Sequence, residues 1–172
     1  IDLSAEAATT FKTFGHETTF ATGVIDLDNG SDLTINSAGG AISVQGIRGT
    51  STESVTMNAN VAGGTETETI NIGTDGIGSG DQIGAISLTA TDRITLRGDI
   101  ETSNEENDTD VTFTGAVKIN GTVTIDTDAA AKDGAIEFTS TIDSLTAGSG
   151  NLTILAGDSG AAAGGGLTFG GT

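Results

Sequence analysis

The side chains here with the clearest chemical potential are carboxylates. Asp26-Leu27-Asp28-Asn29-Gly30-Ser31-Asp32 sets side-chain oxygens at alternate positions around a glycine turn. Hard Ca2+ takes roughly six to eight oxygen ligands, and an aspartate-rich turn supplies them. The string lacks the EF-hand's third acidic residue before Gly and its closing Glu, and it is not the RTX nonapeptide. A solvated turn is the competing reading. Asp99, Glu101, Glu105, Glu106, Asp108 and Asp110 form a second acidic run. Carboxylates so close repel one another unless a cation or water screens them. A long exposed loop explains the same run. The candidate Ca2+ ligands are therefore Asp26, Asp28, Asp32, Asp99, Asp108 and Asp110.

Cationic chemistry is scarce. The six basic residues are Lys12, Arg48, Arg93, Arg97, Lys118 and Lys132, against 24 Asp and Glu and a net charge of −18. Phosphate binding needs cations, so nucleic acid is not expected as a partner. An anionic membrane surface is disfavoured for the same reason. Arg93 and Arg97 stand four apart, on one phrase with Asp92 and Asp99. A polysaccharide-cleaving site would need a cationic base beside acidic metal ligands, and this phrase is where one would look. Outer-face ion pairs are the simpler reading. The single His16 sits apart, and no HExxH, P-loop or nucleophile-elbow string occurs. Trp and Tyr are absent, which removes the aromatic platforms sugar rings stack on. No enzyme activity is expected.

The elements that must carry these residues are short strands. Val111-Thr112-Phe113, Val117-Lys118-Ile119, Val123-Thr124-Ile125 and Ile136-Glu137-Phe138 each alternate apolar, polar, apolar. Such triplets point two side chains one way and one the other. Gly115, Asn120-Gly121 and residues 126 to 134 separate them as turns. Further phrases begin at Val24, Leu33, Ala41, Ser54, Glu68, Ala85, Arg93, Asn151 and Leu167. Helical periodicity is absent, and so is any run of about 18 apolar residues that would span a membrane as a helix.

Gly40-Ala41-Ile42-Ser43-Val44 returns as Gly84-Ala85-Ile86-Ser87-Leu88 and as Gly134-Ala135-Ile136-Glu137-Phe138. Ser31-Asp32-Leu33-Thr34-Ile35 returns as Gly150-Asn151-Leu152-Thr153-Ile154. Recurrence of this kind predicts a coil that comes back to the same face, with two rungs of about 22 to 25 residues per interval. The fold expected is all-β: a right-handed parallel β-helix (β-solenoid) of roughly seven or eight rungs, about 35 to 40 Å long. Ile42, Ile86 and Ile136 are expected in one core ladder. A β-sandwich is the alternative, since Asn29-Gly30 and Asn120-Gly121 suit hairpins. Residues 23–172 form the expected solenoid. Residues 1–22 hold three of the six Phe and alternate poorly; they read as a cap, a linker or an atypical first rung.

The phrases Asp92 to Ile100 (DRITLRGDI), Ala135 to Asp143 (AIEFTSTID) and Gly150 to Gly160 (GNLTILAGDSG) resemble filamentous haemagglutinin-type repeats of large bacterial exoproteins. The resemblance implies a secreted, very long protein whose β-helix displays adhesive regions away from the cell. It places the chain at the bacterial cell surface or outside the cell, as a structural or adhesive spacer. Its partners would be copies of itself head to tail, or a host-cell or extracellular matrix component, with carbohydrate as a further ligand. The alternative function is a polysaccharide-binding or polysaccharide-cleaving module on the same fold.

Overall fold

A computed structural model describes residues 1–3, 8–28, 30–50, 52–60, 68–102, 110–128, 133–156 and 165–170. All regular structure in them is β, and every strand pair is parallel. That excludes the β-sandwich, whose hairpins pair antiparallel. No described helix is long and apolar enough to cross a membrane.

The chain winds past three faces in turn. One face is a seven-stranded sheet: β2 (Thr9–Lys12), β5 (Leu33–Asn36), β7 (Val55–Asn58), β9 (Ile86–Thr89), β12 (Val111–Thr114), β15 (Ile136–Phe138) and β18 (Leu167–Phe169). The next face holds β3 (Thr18–Phe20), the first half of β6 (Ile42–Arg48) and of β8 (Thr69–Ile77), then β10 (Arg93–Leu96), β13 (Val117–Ile119) and β16 (Ile142–Ser144). The last face holds β1 (Asp2–Leu3), β4 (Ile25–Leu27), the ends of β6 and β8, β11 (Ile100–Glu101), β14 (Thr122–Asp126) and β17 (Asn151–Leu155). Because β6 and β8 bend through a corner, the second and third faces join as one 11-stranded sheet.

The solenoid makes about five turns, slightly fewer than the phrase spacing predicts. Six steps of about 4.8 Å across the seven-stranded sheet give roughly 29 Å, shorter than expected. The described part of residues 1–22 continues the sheets, since β1, β2 and β3 pair with β4, β5 and β6.

Identical levels stack identical chemistry. Ile25, Ile47, Ile77, Ile100, Ile125 and Ile154 form one unbroken isoleucine ladder. Phe11, Ile35, Met57, Leu88, Phe113, Phe138 and Phe169 form another. Its rings lie parallel: Phe113 on Phe138 at 4.9 Å and Phe138 on Phe169 at 5.6 Å. β-Branched and aromatic side chains suit this pleated stacking.

One expectation fails. Ile86 and Ile136 share a ladder, through Val111, but Ile42 stacks on Ile70 on a different face. Leu33 and Leu152 likewise sit on different faces. The Gly-Ala-Ile phrase encodes a corner followed by an inward residue, and the coil uses such a corner at more than one vertex.

Candidate functional site

Outward-facing residues on the face built by β3, β6, β8, β10, β13 and β16 line up across the strands. The row runs Thr19, Ser43, Asn71, Thr95, Lys118, Asp143. Asn71 Nδ2 donates to Ser43 Oγ at 3.2 Å and to Thr69 Oγ1 at 3.4 Å. Lys118 Nζ donates to Asp143 Oδ2 at 3.0 Å. That hydrogen bond, one from the Ser144 backbone N–H, and the Lys118 charge hold the Asp143 carboxyl below its ordinary pKa. Thr95 is 2% exposed, and its Oγ1 has no hydrogen-bond partner among the described residues.

Arg93 stands two positions before Thr95 in β10, so strand alternation puts it on that face; Arg97, just past the strand, lines the same face with Ser43 and Asn71. Both arginines are exposed, and among the described residues neither forms an ion pair. Three of the chain's six cations thus share one face of a molecule carrying −18. Beside them lies an open hollow of about 360 Å3, lined by Ser43, Gln45, Asn71, Gly73 and Arg97. Gln45 Nε2 donates to Thr74 Oγ1 at 3.0 Å at its edge. Its lining mixes amide and hydroxyl groups, able to donate and accept, with apolar Ala21, Val44 and Ile72 and one guanidinium.

The acidic candidates are distributed differently. Asp26 lies in register between Asp2 and Arg48. A second open hollow, about 340 Å3, is lined by Asp2, Asp26, Asp28, Arg48, Thr50 and Asp81. Asp32 is not part of it. The chain has turned the corner, and Asp32 Oδ1 accepts from the Ser54 N–H and hydroxyl, both at 2.8 Å. Asp99 Oδ1 accepts from the Thr124 N–H at 2.7 Å, and Asp110 Oδ1 from the Ala135 N–H at 2.6 Å. Each carboxylate bonds the backbone about one coil away. Asp108 and Lys132 lie outside the described residues. Among those described, no three His, Cys, Asp or Glu side chains are grouped to hold a metal ion. His16 is exposed, and its carbonyl accepts from the Thr13 hydroxyl at 2.8 Å.

Sequence reasoning missed Glu53. It is 0% exposed, and its carboxylate accepts the N–H of Thr50 at 2.6 Å, of Gly30 at 3.0 Å and of Thr52 at 3.2 Å, together with the Thr50 hydroxyl. Burial pushes this carboxyl up, and the bonds from Thr50 and Gly30 outweigh it, leaving its pKa below the usual value. The available signal was Thr50-Ser51-Thr52-Glu53, in which a Glu reaches back to an N–H three residues earlier. The same reach makes half of a helix capping box, here used at a solenoid corner.

The fold and face define a class: a parallel β-solenoid with an acidic body and one polar, partly cationic face. Compared with protein-family models, curated proteins and solved structures, the chain matches none.

Proposed function

We propose that this chain is a stiff spacer segment of a large secreted bacterial surface protein or extracellular filament. The observation that carries the reading is the in-register stacking: side-chain ladders run from the first coil to the last without a flexible hinge in the described strands. Each rung is braced by its neighbours, so the segment resists bending and holds whatever it bears at a distance. The filamentous haemagglutinin-like phrases support the same setting. Charge of one sign keeps such a rod soluble. Head-to-tail association of copies belongs to this reading.

Immunogold electron microscopy of intact source cells, with antibody raised against this chain, tests the proposal. Label standing off the outer envelope is expected. Label confined to the cell interior overturns it. A second reading, a polysaccharide-binding module, is favoured by the hollow beside Arg97.

A further inference from the structure

We propose that the face centred on Asn71, Thr95 and Arg97 binds an acidic sugar of the uronate class, presented by a polysaccharide. The inference rests on the surface-segment reading only for its biological setting; the site stands on its own geometry.

Three observations converge. The hollow offers Ser43, Gln45 and Asn71, whose hydroxyl and amides pair with hydroxyl-rich ligands in either sense. Arg97 stands at its end without an ion pair among the described residues, and a guanidinium matches a planar carboxylate through two parallel hydrogen bonds. Next to Asn71 in the row, the Thr95 hydroxyl is buried with its hydrogen bond unmade. An unmet polar group of this kind costs stability, and a ligand oxygen that reaches it recovers that cost. Lys118 stands next to it in the row, on the side away from the hollow.

The composition of the face selects among ligand classes. A protein partner would want a large desolvated apolar anchor; the apolar residues lining the hollow are Ala21, Val44 and Ile72, and the last two are buried in the core. A nucleic acid would need a line of cations, whereas Lys118 is already held by Asp143. Carboxylates stand near the face, Asp75 beside Gly46 and Asp143 in the row itself, and they oppose an anion; salt screening limits that opposition. Without an aromatic platform, one site binds weakly. A polymer that engages many copies along a filament gains through avidity.

The test is isothermal titration of the purified chain with tetragalacturonate and with its methyl ester, which keeps the hydroxyls and loses the charge. Binding of the acid with Kd of about 1 mM or tighter is expected, with the ester at least about tenfold weaker. Arg97→Gln should weaken acid binding about tenfold or more, the scale of a charge-assisted hydrogen bond. Arg48→Gln, on another face, should leave it unchanged. Thr95→Val should weaken binding while melting no lower than wild type, because it removes a hydroxyl that has no partner. Absence of acid binding at millimolar ligand overturns the proposal. So does equal binding of the ester, or an Arg48→Gln effect as large as that of Arg97→Gln. None of these outcomes bears on where the protein sits in the cell, so the spacer reading is tested separately.

Discussion

Glu53 has no exposed surface, yet it is held ionised by the N–H groups of Thr50, Thr52 and Gly30. Gly30 comes from the previous coil, so this one side chain ties two turns together at a corner. Removing it strands donors that folding has taken from water, at about 1–3 kcal/mol for each unmet group. Glu53→Gln keeps the shape but turns an NH2 toward donors, and we expect it to cost about 1–3 kcal/mol in urea unfolding at neutral pH. The pH dependence has a definite sign. The folded pKa is lowered, so the carboxylate's contribution is complete above the unfolded value of about 4.3 and is lost as pH falls through the lower folded value. The gap between wild type and Glu53→Gln should therefore be widest near neutrality and shrink below about pH 4. A gap that stays constant down to pH 3 would show that Glu53 acts through packing alone.

At the scale of the strand, much was legible. The phrases beginning at Leu33, Asn151 and Leu167 open strands at those residues, and the triplet Val123-Thr124-Ile125 lies inside the strand Thr122–Asp126. Alternation of apolar and polar residues is a local property, and it survives folding. The assignment of strands to faces was not legible. Ile42 and Ile86 follow the same Gly-Ala pair and enter different sheets, because coil length varies with what is inserted between strands. The Arg97 hollow was legible only as the Arg93–Arg97 pair; Asn71 and Gln45 join it through register, which no local string displays. Glycine reports inter-coil distance more directly. A Cβ at Gly78 would lie 2.0 Å from the Glu101 carbonyl oxygen of the next coil, whereas one at Gly80 would meet nothing within 4 Å. Both have similar positive φ, 76° and 82°. Each change to Ala costs about 1–3 kcal/mol for the left-handed backbone. Gly78→Ala adds roughly 1–3 kcal/mol more by forcing the coils apart. Chemical denaturation of the two variants isolates the stacking contact, and equal midpoints would mean the coils separate freely at this corner.

Over the whole molecule, the same stacking that builds the interior is able to join one copy to another. Phe169 lies on Phe138 with the rings 9° from parallel, and is itself 58% exposed; Leu167 beside it is 43% exposed. These two continue the ladders of the seven-stranded sheet, so β18 presents an inward-type pattern, and among the described residues it pairs with β15 alone. A strand edge templates pairing with another chain unless it is covered. At the other end, β2 carries half-buried Thr9 and Phe11 in the same two ladders. A second copy docking β2 onto β18 would extend both ladders in register. The contact is heterologous, so it propagates rather than closes. Opposing it is the charge of −18 on each copy. Repulsion between exposed charges weakens as the Debye length falls from about 30 Å at 0.01 M salt to about 3 Å at 1 M. The apolar contact does not weaken in that way. Sedimentation velocity across this salt range should therefore show association rising with salt and with protein concentration. Phe169→Asp places a charge in the stacked contact and should return the protein to monomer at every salt. Gel-like side-by-side aggregation that is indifferent to Phe169→Asp, or a monomer throughout the range, would rule out assembly through β18.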